Sequence, residues 1–290
     1  MDLQFRPLHG SFGAEVIGVP ADLQVDEAAF RAIEQAWFRH SILLFRSLRM
    51  TPQQQIGFSL RFGPLHYMEP PNITLADHPE VFVVSNAMKD GRPFGLRRAG
   101  EGYHTDGEDK HIPNAGSFLY AITVPPEEGD TIFVDMYGVL DALPAKTRRR
   151  LAGKRARFSR IALHHVHYPL LPALSEQQKR DRPDVYHPLL RRHPRSGRTS
   201  LYIGRWAIDI EGMPVDEGRA LVAELQAFAV QPRFAYRHEW QVGDAVLWDN
   251  RCTQHRATGF NDELYVRTMY RTTLEGDMPI MAEPESLNVA

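Results

Sequence analysis

The sequence predicts a mainly β protein with peripheral helices, folded as a jelly-roll-like barrel in a single domain spanning residues 1–290. Three observations lead there. Short apolar and β-branched runs recur between turn residues, the pattern turns predominantly β after Gly63-Pro64, and helical periodicity is confined to a few segments near the N-terminus and in excursions. A chain of 290 residues that is 43% hydrophobic and 24% charged can bury one large core and is unlike a disordered or fibrous chain.

Taken in order, Val25 to His40 reads as a helix capped by Asp26, with Phe30, Ile33, Trp37 and Phe38 at three- to four-residue spacing. Ser41 to Phe45 reads as a buried strand, and Thr51-Pro52 as an N-cap with proline at the first helical position, opening a helix toward Phe62. Glu80 to Ser85 and Gly116 to Val124 are strand-like, and Gly129-Asp130 turns into a strand over Thr131 to Asp135. Asp141 to Leu151 is helical. From Arg155 to Ser200 the chain is rich in histidine, arginine and proline, which predicts a long irregular excursion with the character of a lid. Leu201 to Ile210 is a strand and turn, Val215 to Val230 an amphipathic helix, and strands return at Arg233 to Trp240, Ala245 to Asp249 and Val266 to Thr273. There is no internal repeat.

Composition narrows the partners. A formal net charge of -2 gives no global attraction to nucleic acid or to an anionic membrane, so anion recognition rests on individual arginines and the partner is small. One cysteine, Cys252, excludes an intramolecular disulfide framework, Met1 to Pro7 lacks a signal-peptide pattern, and no apolar run approaches the roughly 18 residues of a membrane span. The expectation is a soluble, cytoplasmic protein.

His104-Thr105-Asp106, followed far downstream by His255, Arg267 and Arg271, has the ligand types and order of a non-haem iron centre with anion-binding arginines behind it. In an extended strand, residues i and i+2 point the same way, so His104 and Asp106 can reach one metal, with His255 supplied by a strand that folds back over them. His78-Pro79-Glu80 has the same spacing, but its proline sits in a turn context. The cluster His164, His165 and His167 lacks further ligands at zinc spacing, and His187 and His193 read as structural.

Arg61-Phe62-Gly63, His104-Thr105-Asp106, Gly129-Asp130-Thr131, Tyr186-His187-Pro188-Leu189, His193-Pro194, Trp248-Asp249-Asn250-Arg251 and Thr253-Gln254-His255 follow one another in an order that resembles the taurine dioxygenase (TauD/TfdA) family. The resemblance spans nearly the whole chain, and the Trp-Asp-Asn-Arg block is its most specific part. It implies a double-stranded β-helix, Fe(II) held by His104, Asp106 and His255, and 2-oxoglutarate as cosubstrate with O2. Thr131 and Arg267 would hold the distal carboxylate of 2-oxoglutarate, a role suited to a guanidinium that pairs both oxygens. With Asp106 present, hydroxylation with release of succinate and CO2 is implied over halogenation. Desaturation, cyclisation or oxidative decarboxylation on the same cofactors remains open, as does a silent binder of small acids.

Four residues after Arg267, Arg271 is expected on the same strand face, meeting the anionic group of a sulfonate, sulfate ester, carboxylate or phosphonate. Taurine itself is disfavoured, because Met68 occupies the position where the taurine enzymes carry a histidine. Arg92 to Arg98 is a candidate pocket wall, and Glu108 with Asp109 adds acidity suited to a substrate amine. Relatives of this kind form dimers and tetramers, and apolar helix surface near Trp37 is a candidate contact for a homo-oligomer.

Overall fold

The computed structural model describes residues 1–9, 12–67, 73–97, 100–169 and 171–283. Its largest element is an eight-stranded sheet in the order Gln4–His9, Phe12–Ile17, Ile42–Phe45, Ala245–Asp249, Gly116–Thr123, Thr268–Leu274, His78–Ser85 and Thr74–Leu75. Only the pairing of Phe12–Ile17 with Ile42–Phe45 is parallel.

Side chains alternate across a strand, so the two faces of this sheet bury different sets. Phe118, Tyr120, Phe45 and Leu247 face the helices Glu27–His40 and Pro52–Leu60, packing against Phe30, Ile33, Trp37 and Phe58. Leu119, Val246, Trp248 and Met269 face the other way and pack against Phe133. Phe133 belongs to a three-stranded antiparallel sheet of Ala235–His238, Thr131–Asp135 and Thr253–Ala257. The functional residues gather between this small sheet and the large one.

The first helices begin where their caps dictate. Asp26 accepts the Ala29 N–H at 2.8 Å, and Thr51 with Gln54 forms a reciprocal capping box ahead of Pro52. Trp37, however, is buried at 2% exposure among Phe62, Phe38 and Gly116, so the apolar surface invoked for self-association is core. Asp141 to Leu151 is two helices, Met136–Ala142 and Ala145–Leu151. Pro144 forces Leu143 out of the helical region, with ψ 140°, and splits them. The N-terminal hairpin was not legible in sequence, because its second strand is buried on both faces from Phe12 to Val16 and shows no alternation.

The region 155–200 is not an irregular excursion. Arg155–Phe158 pairs with both Val185–Pro188 and Ala207–Ile210, and Leu190–Arg192 pairs with Thr199–Leu201 and Ile280–Met281. Phe158, Leu189, Leu190 and Leu201 join a core against the helix Val215–Ala229. Strands of three or four residues studded with His and Arg carry too little period to be read as strands. The longest stretch outside the strands runs between Phe158 and Val185 and carries the short helices Arg160–His167 and Glu176–Asp181.

Candidate active site

His104 and His255 stand opposite one another as a single antiparallel rung. The His104 N–H donates to the His255 carbonyl at 3.0 Å, and the His255 N–H returns the bond at 2.9 Å. Two directly paired residues project to the same side, and the imidazole centroids lie 4.3 Å apart. After this rung the chain turns at once, so Asp106 sits in a turn and not in the extended strand expected from its spacing.

Among the described residues, His104, Asp106 and His255 are the group whose ligand atoms lie close enough to hold a metal, all within 4.8 Å of one another. His104 Nε2 is 3.8 Å from Asp106 Oδ1, and His255 Nε2 is 4.0 Å from Asp106 Oδ2. These separations are too long for hydrogen bonds and short enough for one ion to bridge with bonds of about 2 Å. His104 Nδ1 donates to the Gly102 carbonyl at 2.7 Å, which fixes the tautomer and turns the Nε2 lone pair to the site. Burial drives the His104 pKa down to about 4 and holds His255 well below the ordinary range, so both imidazoles are neutral ligands at physiological pH. Burial alone would raise the Asp106 carboxyl, but the Arg271 guanidinium beside it and the Ser117 hydroxyl that donates to it outweigh this and keep the group ionised. His255 Nδ1 is buried with no hydrogen-bond partner. Two neutral imidazoles and one carboxylate on one side form the donor set suited to non-haem iron.

A second feature adjoins this one along the small sheet. His255 pairs with Phe133 and Ala257 with Thr131, which puts Thr131 on the same face as His255, roughly 7 Å further along the strand. The Thr131 hydroxyl accepts from Trp240 Nε1 at 3.0 Å and keeps its own proton to donate. Arg267 lies across Gly129, whose φ of +70° brings the backbone close, and its Nε donates to the Gly129 carbonyl at 3.0 Å. Arg267 is buried at 7% exposure with no carboxylate within 4.0 Å among the described residues, and burial pushes its pKa down to about 10. Asp130 acts on it only from beyond ion-pair distance, and a buried cation with no direct ion pair is suited to receive an anion.

Residues 4–273 match a family described as "Taurine catabolism dioxygenase TauD, TfdA family". The chain belongs to the TauD/TfdA family. It is thereby a 2-oxoglutarate-dependent dioxygenase, as are its similar relatives. The alpha-ketoglutarate-dependent 2,4-dichlorophenoxyacetate dioxygenase of Cupriavidus pinatubonensis is 36% identical, over 95% of this chain and 99% of that protein. The (S)-phenoxypropionate/alpha-ketoglutarate-dioxygenase of Sphingobium herbicidovorans is 34% identical, over 93% and 94%. A taurine dioxygenase from Burkholderia xenovorans superposes with a TM-score of 0.81 at 31% identity, covering 96% of this chain and 91% of that one.

The TauD/TfdA site departs from expectation in three places. First, Arg271 is engaged within the site. The last long strand starts at Thr268, and the register slip before Met269 falls in the facing strand, where Ile122 is skipped. Arg271 lies over the Phe82 ring at 4.7 Å and donates from Nη1 to Asp106 Oδ1 at 3.0 Å. Second, Glu108 does not lend acidity to a substrate entrance. Its carboxylate is buried, accepting the Thr105 N–H at 2.9 Å and the Trp206 N–H at 2.8 Å, and a Cβ on Gly204 would overlap it. Asp109 is engaged by Arg160 at 3.2 Å and Arg182 at 3.3 Å, one from each end of the 159–184 excursion. Third, Arg97 pairs with Asp262 at 3.0 Å, while Met68 and Arg98 lie outside the described residues.

Burial pushes the Glu108 carboxyl up to about 8, against the opposing pull of the two backbone N–H groups. The native state therefore keeps a proton that the unfolded chain releases near the ordinary 4.5, and stability falls as pH rises from about 4.5 to about 8. Glu108→Gln, neutral throughout, is expected to flatten that fall, read as Tm against pH. An equally steep fall in the variant would refute the assignment.

Four of the other histidines singled out in the sequence bond within the fold. His193 Nε2 meets Asp249 Oδ2 at 2.9 Å, His187 Nε2 the Glu108 carbonyl at 3.1 Å, His164 the Pro172 carbonyl at 3.0 Å, and His78 the Gln53 side chain at 2.9 Å. The Trp-Asp-Asn-Arg block braces the site: Asp249 is clamped by Arg251 and His193, and Asn250 Oδ1 accepts from Trp248 Nε1 at 2.9 Å and the Asp106 N–H at 3.4 Å. Sequence reasoning passed over Ser117, which donates to Asp106 Oδ2 at 2.7 Å. Its signal was available, since Ser117 is a polar residue in an otherwise apolar strand. Among the described residues no helix is long and apolar enough to cross a membrane.

Proposed function

We propose that this protein is an Fe(II)- and 2-oxoglutarate-dependent dioxygenase that hydroxylates an aliphatic C–H of a small organic acid, releasing succinate and CO2. The observation that carries the reading is the His104, Asp106 and His255 group, with Thr131 on the same strand face as His255 and a buried Arg267, without an ion pair among the described residues, against Gly129 two residues before Thr131. The group offers a metal set, and Arg267 a fork for a dicarboxylate's far end. Iron bound there supplies oxygen activation, and the protein supplies positioning and exclusion of water.

In this reading His104, Asp106 and His255 are the metal ligands and Arg267 and Thr131 bind the distal carboxylate of 2-oxoglutarate. Ser117 and Arg271 hold the Asp106 carboxylate in one orientation. Trp248 and Phe133 wall the imidazole of His255 with apolar surface, their ring centroids 4.7 Å and 6.1 Å from it. The substrate class follows the relatives, whose names specify organic acids, and the two helices of 159–184, tied to Asp109, form the cover over the site. The same proposal takes the chain as one domain, built as a double-stranded β-helix and working in the cytoplasm as a dimer or tetramer.

Anaerobic titration with Fe(II) and 2-oxoglutarate tests it. A weak visible metal-to-ligand band is expected, together with succinate formation in air that rises when a substrate acid is added. Absence of the band in the intact protein would end this reading.

A further inference from the structure

We propose that Lys110 is the specificity-determining cation of the substrate site, receiving the substrate's anionic group with His66 beside it. The inference rests on the dioxygenase reading above and goes beyond it, because Arg271, the residue expected to meet that group, is engaged by Asp106.

The turn that carries Asp106 contains three carboxylates and one lysine. All three carboxylates are committed: Asp106 to Arg271 and Ser117, Glu108 to two backbone N–H groups, and Asp109 to Arg160 and Arg182. Lys110 is left over. Its Nζ lies 2.8 Å from His66 Nε2 and 3.5 Å from Asn114 Oδ1, with no carboxylate within 4.0 Å among the described residues. Burial, with Lys110 and Arg271 adding to it, pushes the His66 pKa down to about 4, so the imidazole is neutral and accepts from the ammonium. Burial pulls the pKa of the half-buried Lys110 ammonium down, and the opposing pull of Asp109 and Asp106 is offset by Arg182 and Arg271; bonded only to neutral groups, it has lost hydration without gaining a direct ion pair. A substrate anion supplies it.

The chemistry of the receptor sets the selection. An ammonium is a compact point charge with rotatable donors and lacks the planar fork of a guanidinium. It therefore selects for charge and not for shape, favouring carboxylates, sulfonates and sulfate esters over their neutral analogues.

The test uses the Fe(II)- and 2-oxoglutarate-loaded enzyme with 2,4-dichlorophenoxyacetate, 2-phenoxypropionate, an alkyl sulfonate and an alkyl sulfate ester, reading succinate. The best acid is then compared with its neutral amide or parent alcohol. Lys110→Gln keeps a donor to His66 and removes only the charge. Its KM for the acid is expected to rise about tenfold or more, with the KM for the neutral analogue and for 2-oxoglutarate unchanged. Lys110→Arg is expected to return the acid's KM to within about threefold of the original. If Lys110→Gln leaves the acid's KM unchanged, or raises both KM values alike, Lys110 is not the receptor and the dioxygenase reading stands. If the unaltered enzyme oxidises none of the four acids, the receptor and the organic-acid reading fall together. Should Lys110→Gln fail to load cofactor, Lys110→Arg decides: an acid KM raised beyond about tenfold relative to the neutral analogue counts against charge as the determinant.

Discussion

Asp106→Asn is expected to lower succinate formation on the order of a thousandfold and to weaken Fe(II) binding in parallel. The substitution preserves shape and removes one charge, so the effect is electrostatic. Asp106 faces two neutral imidazoles, accepts from Ser117 and pairs with Arg271, all behind 6% exposure. Removing one member of a buried charge pair costs about 3–5 kcal/mol because its partner is left uncompensated, and about 1.4 kcal/mol is a factor of ten. Arg271 would be that partner, its Nε already buried without a hydrogen bond. Metal content after equilibration with Fe(II), alongside turnover, checks the prediction. Wild-type iron affinity in the variant would remove Asp106 from the ligand set.

Arg267→Met is expected to raise the KM for 2-oxoglutarate by about a hundredfold or more while leaving Fe(II) affinity near its original value. Methionine fills much of the same buried volume, so the loss is the guanidinium and not the packing. Arg267 reaches no carboxylate of its own among the described residues, and its contact with Gly129 leaves the fork free for an incoming carboxylate. Losing a bidentate, buried charge partner is worth about 3–5 kcal/mol, and even a partial loss exceeds a hundredfold in affinity. The visible band of bound cosubstrate, titrated anaerobically, separates this effect from metal loss. A variant with an unchanged 2-oxoglutarate midpoint would show that Arg267 serves the fold alone.

How far the chain could be read in advance depended on whether the physics was local. The helices after Asp26 and Thr51 were legible because capping side chains act within four residues. The strands Gly116–Thr123 and Ala245–Asp249 were legible because long apolar runs announce buried sheet. The strands between 155 and 201 were not, because each is only three or four residues long, too short to show a period. The metal group was found from residue type and order, whereas its electrostatic surroundings were not. Nothing in the spacing of Arg271 reveals that Asp106 turns toward it, nor in Gly107-Glu108-Asp109 that one carboxylate caps backbone and the other holds two arginines. Lys110 drew no notice, since a lone lysine in a polar turn looks like solvent-facing charge until its bonded partners, His66 and Asn114, are seen to be neutral.

The rung between His104 and His255 carries a consequence for biosynthesis. Two of the three candidate ligands are held in place by backbone bonds between strands far apart in the sequence, so no fragment ending before His255 can present the pair. A ribosome-bound chain exposes His104 and Asp106 long before their companion emerges, and two donors alone hold iron weakly. On the proposed reading, a redox-active ion would thus be captured only once most of the chain has left the exit tunnel, when the walls that would keep its reactivity from the chain are already available to fold around it.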